Sequence, residues 1–98
     1  MIIYNVTVSL DASIHHDWLQ WMKSEHIPEV MKTGYFLEFK LCKVLVNDER
    51  TYAIQYFCKN LETLKEYQEK MAPELQAKHR QRYEGKAAAF RTLLEILE

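Results

Sequence analysis

The chain has little of what breaks, links or charges a fold. Its 98 residues hold two glycines, Gly34 and Gly85, and two prolines, Pro28 and Pro73. So few breakers exclude a flexible linker or a low-complexity tract, and no internal repeat is visible. The two cysteines, Cys42 and Cys58, lack Cys-x-x-Cys spacing, which excludes a thioredoxin-like or zinc-type pair and predicts free thiols in a reducing compartment. No apolar run approaches the roughly 18 residues of a membrane span, and MIIYNVTVSL has no basic leader. Thirteen basic residues against fourteen acidic ones leave a formal charge of −1, so no overall field draws nucleic acid or an anionic membrane. No activated nucleophile, metal set or phosphate loop is visible. A soluble, cytoplasmic protein with one domain over residues 1–98 is expected, with no cofactor.

What is present concentrates in Asp17 to Thr33, DWLQWMKSEHIPEVMKT, which holds both tryptophans, a histidine between acids and the first proline. On a helical wheel at about 100° per residue, Ile14, Trp18, Trp21 and Met22 share one arc of about 100°. Glu25 falls between Ile14 and Trp18, Glu29 between Trp18 and Met22, and His26 flanks Met22. Pro28 has no N–H to bond back to Ser24, and its ring crowds that carbonyl, so a kink or break is expected near Ile27. Either the break turns Glu25, His26 and Glu29 to solvent, or it leaves one or two of them lining a cleft. In the cleft reading a carboxylate beside the indoles has a raised pKa, a nearby acid favours charged His26, and the pair could act as general acid and base.

The remaining chain supplies a scaffold. Ile2, Tyr4, Val6, Val8 and Leu10 alternate with Ile3, Asn5, Thr7 and Ser9, the period of a strand with one apolar face. Asp11 or Ser13 can cap the following helix, and Gly34 can end it. Tyr35 to Val46 alternates again, and after Asn47 to Arg50 the run TYAIQYFC resumes, which predicts an antiparallel hairpin. Pairing Val46 with Thr51 sets Leu45 against Tyr52, Leu41 against Tyr56 and Phe39 against Cys58, with Leu37 on the same face. Cys42 then falls opposite Gln55, away from Cys58, so a disulfide is not expected. Asn60 can cap a second helix with Leu61, Leu64, Gln68, Met71 and Leu75 on one stripe, kinked or divided at Pro73 and ending near Tyr83.

KAAAFRTLLEILE suits helix or strand by composition. The order β-α-β-β-α needs a fourth strand to complete a ferredoxin-like βαββαβ fold, so residues 87–97 are assigned as strand. The fold class is therefore α+β, with two helices on one face of a four-stranded antiparallel sheet. The other face carries Asn5, Thr7 and Ser9, then Cys42, Val44 and Val46, then Ala53, Gln55 and Phe57. Its apolar centre predicts a homodimer through the open sheet face.

Other residues admit two uses. Adjacent His15 and His16 point about 100° apart and cannot share a metal unaided. His26 and Glu29 are spaced to share one, but Pro28 lies between them and no second ligand pair accompanies them. KHRQRYEGK (78–86) either binds an anion or is a solvated helix end whose charge complements the dipole. Tyr4, Trp18, Trp21, Phe39, Tyr52 and Tyr56 read as core. Buried tyrosines need hydroxyl partners, which a polar-lined pocket between the first helix and the sheet would supply.

The segments IIYNVTVSLD, WLQWMKSEHIPEVMKTG and AAAFRTLLEIL resemble a family of short bacterial proteins of unknown function, within the dimeric α+β barrel superfamily. That resemblance implies two ferredoxin-like protomers joined sheet to sheet. The superfamily includes cofactor-independent monooxygenases, isomerases, haem-degrading enzymes and ligand-binding modules, so the fold alone does not choose a function. The haem-degrading pattern would map onto Asn5 and His79, but it also wants a tryptophan beyond Trp21, and there is none. Two hypotheses remain beside haem. One is a binding module for a small hydrophobic or aromatic ligand, with Asn5, Trp18, Trp21, Met22, Glu29, Tyr56 and His79 as contacts. The other is a small monooxygenase- or isomerase-like enzyme in which His26 is the base and Glu25 its orienter.

Overall fold

The computed structural model describes residues 1–45 and 50–98. Strand β1 (Ile2–Leu10) leads through a short 3-10 turn (Ala12–Ile14) into α1 (His15–Trp21), a π turn (Met22–His26) and α2 (Ile27–Lys32). Then come β2 (Phe36–Lys43), β3 (Thr51–Cys58), α3 (Leu61–Lys70), α4 (Ala72–Tyr83) and β4 (Ala87–Glu95). The strands are antiparallel neighbours in the order β2-β3-β1-β4. This is the βαββαβ topology with the helices over one face, and the ambiguous C-terminal piece is a strand.

Local chemistry accounts for the boundaries. The Asp11 carboxylate caps the first helical stretch by accepting from the Ser13 N–H at 3.0 Å. The Asn60 side chain caps α3, accepting from Thr63 N–H at 2.8 Å. Gly34 closes α2 with φ +82°, a left-handed conformation that side-chain-bearing residues rarely adopt. The expected kink before Pro28 is a wide turn in which Ile27 N–H donates to the Met22 carbonyl, five residues back. At the second proline the helix divides. Met71 takes φ −113°, and α4 restarts with Pro73 in its first turn, where the missing N–H costs no helical bond.

The core lies between sheet and helices. Trp18, Ile27, Ile54, Leu64, Val8 and Cys58 are its most completely buried large side chains. The second helical stripe differs from the expected one. Leu64, Tyr67, Ala72 and Leu75 are buried, whereas Leu61, Gln68 and Met71 are exposed: α3 turns its 64/67 edge to the sheet, and the break at Met71 resets the phase so that α4 continues from Ala72.

The hairpin register is shifted by two residues from the expected one. Leu41 pairs with Ile54, Phe39 with Tyr56 and Cys42 with Ala53, while Val44 N–H donates to the Thr51 carbonyl at 2.9 Å. An even shift keeps every side chain on its face, so Cys42 and Cys58 still point to opposite sides and both are free. The expected Val46–Thr51 pairing, and Val46 on the open face, lie outside the described residues. A bulge between Phe36 and Glu38 puts Phe36 in the core in place of Leu37. Phe39 faces the helix side but is 43% exposed, on edge strand β2, which has a neighbouring strand on one side only.

The face without helices carries Ile3, Asn5 and Thr7 from β1, Ala53, Gln55 and Phe57 from β3, and Phe90, Thr92 and Leu94 from β4. The β4 residues enlarge its apolar area, and Phe90 is 62% exposed.

Candidate functional site

The π turn decides which side of the first helix meets the sheet. Relative to a continuous α-helix it turns His26 inward, where the imidazole is buried and stacks on Trp21 with ring centroids 4.7 Å apart. Glu25 stays exposed. Glu29 is half-buried and holds Lys78 of α4 in an ion pair of 2.7 Å. His26 Nδ1 is buried and has no hydrogen-bond partner among the described residues. Glu25 therefore does not orient His26, contrary to expectation, because the turn sends the two neighbours to opposite sides of the backbone.

A cavity of about 50 Å3 lies beside His26. Met22, His26 and Val30 line it from the first helical stretch, and Tyr67, Leu75, Gln76 and His79 from α3 and α4. Tyr4, Val6, Val8, Ile54, Tyr56, Ala89 and Arg91 form its floor on the sheet. Half of the lining residues are apolar, and the rest are three phenols, two imidazoles, one guanidinium and the Gln76 carboxamide, with no carboxylate among the described residues. Tyr4 Oη accepts from Arg91 Nε at 2.9 Å. His79 Nε2 accepts from the Trp18 indole N–H at 2.9 Å, which fixes the His79 proton on Nδ1 when the ring is neutral.

Burial sets the protonation states. Desolvation pushes His26 down to about 4, helped by nearby His79 and opposed by Glu29. Burial, then Arg91, also lowers His79. Tyr56 and Tyr67 are pushed up, chiefly by burial. At neutral pH the cavity therefore presents neutral imidazoles and the neutral phenols of Tyr56 and Tyr67, and among the described residues Arg91 is the one guanidinium in its lining.

Of the expected site residues, Met22, Tyr56, His26 and His79 meet at this cavity. Trp18 and Trp21 stand behind it, one holding His79 and the other stacked on His26. Glu29 touches it only through its field at His26. Asn5 lies on the opposite sheet face, where its amide donates to Thr7 Oγ1 at 3.1 Å, because odd positions of β1 point away from the helices. Arg91 and Tyr67 are the residues the sequence pattern did not single out. The available signal for Arg91 was a lone charge in the inward phase Ala87, Ala89, Arg91 and Leu93.

The remaining candidates are structural. His15 Nε2 meets Tyr52 Oη at 2.6 Å. In the 78–86 run, Arg82 lies over Trp21 and pairs with Asp17 at 3.4 Å. Tyr83 donates to Asp17 at 2.7 Å. No three metal-type side chains converge among the described residues.

This strand order, with both helical stretches on one face, defines a ferredoxin-like α+β protein, and solved structures share the fold. One is a dimeric ferredoxin-like protein from an uncultured marine organism, with TM-score 0.73 and 10% identity over 100% of this chain and 96% of that one. Another is the haem-degrader MhuD of Mycobacterium tuberculosis, with two haems bound in its active site: TM-score 0.74 and 15% identity over 100% and 97%. A third is a putative antibiotic biosynthesis monooxygenase from Nitrosomonas europaea, with TM-score 0.72 and 8% identity over 100% of both chains. No curated protein sequence matches the chain. The chain belongs to the family described as domain of unknown function DUF4286, whose model matches residues 1–97.

The residues do not fit a haem. His79 Nε2 is engaged by Trp18, Asn5 faces away from the cavity, and a space of about 50 Å3 takes a few atoms. Even benzene occupies an engineered cavity of about 150 Å3.

Proposed function

We propose that this protein is a small cytoplasmic homodimer, with one ferredoxin-like domain over residues 1–98, that binds a compact ligand with an apolar body between the π turn and the sheet. The observation that carries this reading is the buried, unpartnered Nδ1 of His26 at a cavity with convergent polar groups. An unmet buried polar atom costs about 1–3 kcal/mol, which a ligand's polar atom would recover. Aliphatic walls with a few directed polar groups are the usual make-up of a small-molecule site. The open face leaves Phe90 and Leu94 exposed beside half-buried Ile3 and Phe57, an apolar patch that a second copy would cover, which supports the dimer.

Native mass spectrometry of protein purified without added ligand tests both parts. A dimer with a small retained mass, lost on replacing His26 by phenylalanine, is the expected result. A monomer would remove the dimer reading. A second reading, that His26 is a catalytic base in a monooxygenase- or isomerase-like reaction, rests on the same unpartnered Nδ1, on a ring that is neutral at neutral pH. In that reaction Glu25→Gln leaves the rate unchanged.

A further inference from the structure

We propose that the ligand of this cavity is a small carboxylate with a short apolar tail, held by Arg91 at the mouth and bound together with a proton on His26. The inference rests on the ligand-binding reading above and names its substrate class.

Among the described residues the lining carries no acid, while Arg91, two imidazoles and three phenols converge on the space. Arg91 spends only its Nε, on Tyr4 Oη. Among the described residues its two Nη groups meet no acceptor, so a planar fork is left for a carboxylate. Tyr4 Oη accepts that bond and keeps its own proton to donate. Aliphatic Val6, Val8 and Ile54 beneath the mouth suit a short hydrocarbon tail rather than a phosphate.

Proton uptake follows from what faces His26. On its own stretch Glu25 is exposed and Glu29 is tied to Lys78. Across from it stand His79 and Lys78 of α4, Tyr67 of α3, Tyr4 and Tyr56 of the sheet, and Arg91 of β4. The buried ring is therefore short of negative charge. An anion in the cavity supplies it and favours the imidazolium. Affinity should then rise as pH falls towards the unliganded His26 value of about 4, by up to about tenfold per pH unit.

The test titrates the full chain with acetate, small enough for a space of about 50 Å3, and with the isosteric neutral acetamide, following amide and imidazole resonances by NMR between pH 7 and pH 5. Acetate is expected to bind about tenfold more tightly than acetamide, the margin of one charge-assisted hydrogen bond over a neutral one. Its affinity should climb as pH falls while that of the amide stays level. Arg91→Gln, which can still donate to Tyr4, should abolish the preference, and Arg91→Lys should keep most of it. Equal binding of the two probes, or an unchanged preference in Arg91→Gln, overturns the carboxylate assignment while leaving the pocket. A level pH profile for acetate overturns proton uptake. No binding of either probe, with His26 resonances unmoved, overturns the pocket reading and this inference with it.

Discussion

Pro28 and Pro73 each sit in a stretch whose apolar spacing runs through the proline, yet the two stretches respond differently. At Pro28 the helix continues, because Ile27 N–H reaches back five residues to Met22 and buried Trp21, Met22, Ile27 and Val30 hold the widened turn from beneath. At Pro73 the helix breaks at exposed Met71 and restarts. A proline removes one donor in both places. Buried residues flank both junctions, Ile27 and Val30 in one and Tyr67, Ala72 and Leu75 in the other, so the difference lies at the turn itself: Met22 is buried under the widened turn, and Met71 is exposed at the break. The first outcome turns His26 inward, and the second sets the phase that brings His79 to face it, with ring centroids 5.8 Å apart.

The contrast is most open to attack at the two junction residues. Ile27→Ala should cost about 2–5 kcal/mol of stability in urea unfolding, the range for a buried large-to-small change. Met71→Ala should stay within about 1 kcal/mol, as for an exposed site. Equal losses would end the distinction between a packed and an unpacked junction.

The inward His26 makes an acid prediction. Its folded pKa lies below the value of 6.5 for the unfolded chain, so unfolded protein binds the proton more readily. Its contribution is therefore complete above about pH 6.5 and is lost as pH falls towards 4, on the order of 3 kcal/mol in all. His26→Gln should flatten that part of the stability profile. A variant with the same acid slope as the parent would place the loss elsewhere.

Trp18 joins the two stretches through His79. Trp18→Phe keeps the ring and deletes the donor, at a cost of about 1–2 kcal/mol. It also frees Nε2, so the His79 titration should move upward when followed by NMR. An unmoved titration would mean that the indole does not hold the imidazole.

The smallest effects belong to the prolines themselves. Pro28→Ala and Pro73→Ala should each change stability by less than about 1 kcal/mol, because packing maintains both shapes. A Pro28→Ala chain in which His26 titrated near 6.5 would show that the proline, rather than the core, sets the turn.

Much of the scaffold was legible in the chain. Alternation in Ile2–Leu10 and Thr51–Cys58 identifies two strands and their inward faces, and Asp11 and Asn60 mark helix starts, since both signals act over a few neighbouring residues. The pairing of Leu41 was not legible: alternation repeats every two residues, so a shift by two gives an equally good pattern. Leu37 and Phe36 exchange roles through a bulge that leaves no trace in a two-residue period. Tyr67 was hidden because it and Gln68 stand three and four residues after Leu64, and helical spacing admits either to the stripe. The site was read only in part. Met22, His26, Tyr56 and His79 meet at the cavity, but Glu25 points away from it, and Arg91 lies in a segment whose composition suits helix as well as strand.

The sequence by itself determined the order of elements, the apolar faces, the helix caps and the place where the first helix must depart from regularity, because each follows from periodicity or from the chemistry of one residue type. Only the tertiary structure decided that His26 turns in while Glu25 turns out, that Trp18 takes up His79 Nε2, and that Arg91 stands over Tyr4. Those outcomes depend on the phase between elements far apart in the chain, which is set by how the helices seat on the sheet rather than by any local preference.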